Sequence, residues 1–175
     1  LGAHHHRGVD WGASMEHPFA CVWGYRDGVG DWWVYDEYWC PDQDKTTADH
    51  AAAILERWPW PSDDIHYGAT FADPSRPGDI NAFVREGIWT QSASNAVFKG
   101  IDCIRSLLKI RNGRPKIFIS RRCKRLIEEL RKYRWKRGRR PEDGNYLNPQ
   151  VAAAAPLKRD DDLADALRYM IFSVE

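Results

Sequence analysis

No apolar run in the 175 residues approaches the roughly 20 needed to span a bilayer, so the chain reads as soluble. There is no Cys-x-x-Cys pair: Cys21, Cys40, Cys103 and Cys123 lie far apart, which argues against a zinc ribbon or a disulfide framework and fits a reducing cytoplasm. There is no Gly-x-x-x-x-Gly-Lys-Ser/Thr, so ATP hydrolysis is not expected of this chain unaided. His50 and His66 have no Ser or Cys nucleophile motif beside them and read as surface or core residues. No basic-then-apolar leader opens the chain. Residues 1–7 are set aside as a tag remnant or linker, leaving 8–175 as one domain by length.

What is present is charge, sharply segregated behind an overall +1. Residues 1–98 carry 6 basic and 15 acidic groups, residues 99–141 carry 17 and 3, and residues 142–175 carry 3 and 7. Such a basic block suits phosphate neutralisation, and polyanion binding is the leading partner reading. Its densest parts are Arg121, Arg122, Lys124 and Arg125, then Arg131 to Arg140, including Lys136, Arg137, Arg139 and Arg140. A solvated helix face also explains a charge run taken alone. Of the nine tryptophans, Trp32, Trp33, Trp39, Trp58 and Trp60 fall in the acidic half, so core packing or a partner surface is their expected use.

Aromatic and β-branched segments at 8–12, 19–25 and 32–38 predict a meander of three strands. Thr46 or Thr47 caps a helix that Pro59 and Pro61 end, and Ile65 to Ala72 reads as a strand running into Asp73-Pro74. A short helix over 80–86 follows, then a longer one capped by Ser94 or Asn95, with Val97, Ile101, Ile104, Leu107 and Leu108 on one face. A strand over 116–120 and a basic helix with Leu126, Ile127, Leu130 and Tyr133 come next, and 137–156 reads as loop. The last helix spans about 161–174. Strands first, then alternating helices and strands, predict an α/β fold with a central mixed sheet flanked by helices.

Three acidic positions sit at element ends. Asp10 lies in the first strand between apolar or small neighbours, where an unpaired carboxylate is costly. Asp73 follows a strand, at the edge where open sheets bind ligands, although an Asx-turn also accounts for it. Asp160-Asp161-Asp162 with Asp165 opens the last helix; capping explains one or two acids there but does not require four. Asp10, Asp73 and the Asp162/Asp165 pair are all hard oxygen donors, which favours Mg²⁺ or Mn²⁺. Two such ions about 4 Å apart catalyse phosphodiester cleavage, and the basic block would hold the polyanion. A ribonuclease H, resolvase or integrase-type enzyme, or a noncatalytic DNA-docking module, fits the same charges.

Gly8-Val9-Asp10-Trp11-Gly12, Val34-Tyr35-Asp36-Glu37-Tyr38, Ala72-Asp73-Pro74, Gly100-Ile101, Cys123 with 126–133 and Trp135, and Pro156-Leu157-Lys158 through Asp165-Ala166-Leu167-Arg168-Tyr169 follow one another along nearly the whole chain. In that order and spacing they resemble the nuclease domain of the large terminase subunit of tailed double-stranded DNA bacteriophages. The resemblance implies a ribonuclease H-like fold, with metal-binding acids on the first strand, a later strand end and the last helix. These correspond to Asp10, Asp73 and the 160–165 cluster, where this chain reads Asp161-Asp162 and many relatives read Asp-His; Asp162 is favoured because its position matches the ligand-bearing one in the relatives, with Asp161 and Asp165 as second choices. The resemblance further implies two Mg²⁺ or Mn²⁺ ions, bridged by Asp10, and Lys158 as a phosphate contact or counter-charge. It implies cutting of concatemeric viral DNA with little sequence preference, in the cytoplasm of an infected bacterium. The partners it implies are double-stranded DNA, a packaging ATPase domain of the same polypeptide, the portal and the small terminase subunit. The 138–156 loop is expected to move over bound DNA or to regulate access to the site.

Overall fold

The computed structural model describes residues 4–12, 17–57, 67–134 and 160–175. Its strands are β1 (His4–Asp10), β2 (Phe19–Arg26), β3 (Trp32–Cys40), β4 (Tyr67–Ala72), β5 (Thr90–Ser92) and β6 (Ile117–Ile119). Its helices are α1 (Thr47–Arg57), α2 (Pro77–Arg85), α3 (Val97–Leu108), α4 (Lys124–Lys132) and α5 (Asp162–Val174). The strands form one sheet in the order β5-β4-β1-β2-β3-β6. The meander β1-β2-β3 is antiparallel, β4 and β5 extend it in parallel on one side, and β6 pairs in parallel with β3 on the other. The expected mixed α/β sheet is thus present. The loop expected over 137–156, and with it Lys136, Arg137, Arg139, Arg140 and Lys158, lies outside the described residues, as do Trp58, Trp60 and His66.

Period-two alternation in the central strands builds two cores, one on each face. Ala20 and Val22 of β2 with Trp32 and Val34 of β3 pack under α3, α4 and α5 against Ile104, Leu126, Leu163 and Leu167. Cys21 and Trp23, pointing the other way, join Val9, Ala51, Ile54, Ala72 and Phe83 beneath α1 and α2. Trp32 is fully buried and Trp39 packs against the first core, as expected for tryptophans of the acidic half. His50 is a core residue: its ring stacks on Phe19 at 3.9 Å and Nδ1 lies 3.2 Å from the Tyr38 hydroxyl. Burial lowers its pKa to about 4, so it is neutral at physiological pH.

Several boundaries differ from expectation. Strand β1 begins at His4 instead of Gly8, so His4 to Arg7, set aside as a remnant or linker, pair with β2, and His6 and Arg7 are buried. Strand β5 escapes prediction, because three residues are too few to show alternation. Helix α2 starts at Pro77, whose missing N–H is no loss in a first turn. Helix α3 begins after Ala96, without the side-chain cap expected from Ser94 or Asn95. The cap of α1 is Thr46: its Oγ1 accepts the Asp49 N–H at 3.2 Å while Asp49 Oδ2 accepts the Thr46 N–H at 2.8 Å, a reciprocal capping box.

Helix α5 lies directly on β1, and a glycine permits it. A Cβ at Gly8 would run into the Ala166 carbonyl and sit 2.9 Å from Met170 Cβ. From this crossing, two residues along the strand to Asp10 and four back along the helix to Asp162 advance by comparable distances, about 6–7 Å. The seat at Gly8 therefore brings the end of β1 and the start of α5 to one place. Gly8→Ala is expected to lift α5 from the sheet and destabilise the fold by about 1–3 kcal/mol, as overpacking does. A lower urea midpoint with unchanged slope would show it; an unchanged midpoint would mean that the seat is not tight.

Candidate metal centre

Three elements end at one cavity of about 300 Å³. Asp10 comes from the last position of β1, Asp73 from the residue after β4, and Asp161, Asp162 and Asp165 from the start of α5. Parallel pairing of β1 with β4 places the first two side by side: the Asp73 N–H donates to Val9 O at 2.9 Å, and Trp11 Nε1 donates to Asp73 O at 2.8 Å. The Asp73 carboxylate also makes the expected Asx-turn, accepting the Ser75 N–H at 3.0 Å and the Ser75 hydroxyl at 2.6 Å. The turn and the cavity share one side chain.

On α5, Asp161, Asp162 and Asp165 are almost fully buried. Asp165 Oδ1 accepts from Arg168 Nε at 3.1 Å, and Arg168 is itself enclosed, with its guanidinium 4.3 Å from the Tyr169 ring centre. Gly100 of α3 makes room for that arginine, since a Cβ there would meet Arg168 Cγ at 2.6 Å. Arg76 stands at the cavity rim, donating to Gly12 O at 2.9 Å and pairing with Asp79 at 2.7 Å.

Sequence reasoning misses His17. Its Nδ1 lies 3.5 Å from Asp162 Oδ1, and one ligand atom from each of His17, Asp161 and Asp162 falls within 4.8 Å of the others, a spacing that can hold a metal ion. To two members of the expected all-oxygen set, Asp161 and Asp162, the geometry adds a nitrogen at ligand spacing. A signal for it exists: an antiparallel β1-β2 hairpin, with Asp10 opposite Ala20, puts the residues entering β2 beside the end of β1.

The electrostatics follow from burial and crowding. Burial, and next the repulsion of Asp165, push the Asp10 pKa up to about 7; Asp73 and Asp162 add to it, while the Gly12 amide opposes. Asp162 is raised too, by burial first, with His17 opposing and Asp161 adding. Crowded carboxylates of this kind gain most from a divalent cation.

Of the basic residues expected to hold DNA, four that are described lie away from the cavity. Arg121, Arg122 and Lys124 are exposed at the start of α4 and do not line the cavity. Arg125 is engaged internally, 3.2 Å from Glu129 and with its guanidinium 3.5 Å from the Trp39 ring centre.

Sheet order, the antiparallel meander and the parallel additions make a ribonuclease H-like fold, with the acidic cavity against its final helix. More particularly, it is the fold of phage large terminase nuclease domains. The chain is similar to the large terminase of a thermophilic bacteriophage in complex with ATP-γ-S, at 20% identity and a TM-score of 0.74, covering 97% of this chain and 40% of that one. It is also similar to the P22 large terminase nuclease domain, at 18% identity and a TM-score of 0.66, covering 94% of this chain and 78% of that one. The chain thus spans about two fifths of the length of the thermophilic phage protein. No protein-family model and no curated protein matches the sequence. Among the described residues no helix is long and apolar enough to cross a membrane.

The raised acids fix a pH dependence. Asp10 is easier to protonate in the fold than in the unfolded chain, so its stabilising contribution is complete below its ordinary 3.8 and is lost as pH rises through about 7. Glu129, raised from 4.5 to about 8, acts in the same direction. Buried His6 and His50, both lowered from 6.5 to about 4, act in the opposite direction up to pH 6.5, so the metal-free protein is expected to melt at falling temperature from about pH 6.5 to about pH 8. Mg²⁺ or Mn²⁺ is expected to restore more at the higher pH. At a hundredfold excess over Kd the restoration is about 2.7 kcal/mol, several degrees for a domain of this size. Equal cation effects at both pH values would contradict carboxylate-held ions.

Proposed function

We propose that this chain is a metal-dependent endonuclease that cuts double-stranded DNA during packaging of a viral genome. The observation that carries this reading is the convergence of Asp10, Asp73 and the α5 acids on one cavity, in a fold like that of the large terminase nuclease domain. The donor set fits a divalent cation: oxygens dominate, the buried carboxylates repel one another, and His17 adds a nitrogen that Mn²⁺ accepts alongside oxygen. Asp10, Asp73 and Asp162 would hold two ions, with Asp161, Asp165 and His17 completing the surround. When bound, the ions supply activation of water on one side of the phosphodiester and charge stabilisation of the leaving oxygen on the other.

The chain's own groups do the rest. Arg168 fixes Asp165 from behind by a buried ion pair, so that acid faces the cavity in one orientation. The Asx-turn does the same for Asp73. Exposed Arg121, Arg122 and Lys124, with Arg131, Lys132 and Arg134 further along, offer charge for the DNA backbone, which suits cutting with little sequence preference. Lys136, Arg137, Arg139, Arg140 and Lys158 belong to the same reading on sequence grounds. As the nuclease part of a longer packaging protein, the chain would work beside an ATPase domain of the same polypeptide, with the portal and small terminase subunit, in the cytoplasm of an infected bacterium.

Supercoiled plasmid incubated in EDTA, Mg²⁺ or Mn²⁺ tests this. Nicking and linearisation are expected only with metal. Asp10→Asn and Asp162→Asn are expected to lower the rate at least about a hundredfold, the scale of losing a group that stabilises transition-state charge, with DNA retention on filters kept. Binding without cutting in any metal would identify a DNA-docking module instead.

A further inference from the structure

Helix α5 is capped in an unusual way. Its N-cap position is held by Asp161, among the best residue types for bonding the free amides of a first turn. Yet the Asp161 side chain makes no capping bond. The amides are taken by a residue of another helix: Glu129 of α4, whose Oε2 accepts the Leu163 N–H at 2.8 Å and the Ala164 N–H at 3.1 Å. Glu129 is only 2% exposed, and Arg125, held over Trp39, lies 3.2 Å from its other oxygen, so the carboxylate is fixed.

The same device appears one helix earlier, where Glu37 of β3 accepts the Arg125 and Leu126 amides at 3.0 and 2.8 Å. There the N-cap is Cys123, a poor capping residue, and Glu37 supplies what is missing. At α5 the residue type is right but the backbone is not: Asp161, at φ −128° and ψ 12°, lies outside the extended region from which an N-cap side chain bonds its own first turn. Importing Glu129 in its place brings another buried carboxylate beside Asp162, and like charges repel. The arrangement makes physical sense if Asp161 is needed elsewhere, and its carboxylate lies in the group it forms with His17 and Asp162.

We propose that Glu129 is a positioning residue: it takes over the N-cap of α5 and so releases the Asp161 carboxylate to a cation site shared with His17 and Asp162. The release has a purpose only under the nuclease reading. The exchange of caps, however, is a property of the metal-free fold and is tested without metal.

The test uses the full chain and five proteins: wild type, Glu129→Ala, Glu129→Gln, Asp161→Ala and the Glu129→Ala/Asp161→Ala double variant. In EDTA, Asp161→Ala is expected to leave the urea midpoint nearly unchanged in the wild-type background. It is expected to lower it clearly beside Glu129→Ala, because Asp161 then caps its own helix. In Mn²⁺ titrations followed by the electron paramagnetic resonance of the free ion, Glu129→Ala is expected to weaken binding at least tenfold. Glu129→Gln, whose side-chain carbonyl still accepts both amides, is expected to stay within threefold of wild type. Should the alanine variants not fold, Glu129→Asp, one methylene too short to reach both amides, replaces Glu129→Ala in the same comparison. Equal midpoint losses from Asp161→Ala in both backgrounds overturn the cap exchange. Unchanged Mn²⁺ affinity in Glu129→Ala overturns the release. If the wild type binds no Mn²⁺, the nuclease reading fails, and the EDTA comparison alone decides the cap exchange.

Discussion

The close seat of α5 on β1 at Gly8 is the contact on which the rest depends. One missing methyl group lets a helix backbone lie against a central strand, and the direction of each element then brings the helix start to the strand end. Every acid of the cavity owes its position to that crossing or to the parallel pairing of β4 with β1. Gly24 extends the contact, with a Cβ there meeting Met170 Cε at 2.8 Å. The buried face of α5, including Leu163, Leu167, Met170 and Ile171, then anchors the helix in the larger core.

The acids themselves oppose folding. Burial and mutual repulsion raise Asp10, Asp162 and Glu129 together, so the metal-free cluster is a place of accumulated cost near neutral pH. The surrounding structure holds the cost in place: Arg168 against Asp165, Arg125 against Glu129, and two carboxylates serving as caps between elements. The chain from Glu37 through α4 and Glu129 to α5 links the sheet to the first turn of the final helix by side-chain-to-backbone bonds alone.

Much of this is legible in the sequence. The meander, the long helices and the mixed sheet follow from alternation and 3.6-residue spacing, and Asp10, Asp73 and the α5 acids stand at element ends in the sequence and at the cavity in the fold. What escapes a reading of the sequence does so for physical reasons. Three strand residues at Thr90–Ser92 are too few to show a period. Consecutive histidines look like a tag rather than a strand, although His6 is buried. A lone histidine carries no motif, so His17 has meaning only through hairpin register. Glu129 sits in a run of charges typical of a solvated face, and only packing reveals that it points inward.

The central claim, that the β1, β4 and α5 carboxylates form one cation site, is tested most directly by diffraction from crystals soaked in Mn²⁺, using anomalous scattering to locate the ion. Anomalous density is expected in the cavity bounded by Asp10, Asp73, Asp162 and His17. Well-ordered crystals with these carboxylates intact and anomalous density absent, or found only elsewhere on the surface, would contradict that claim.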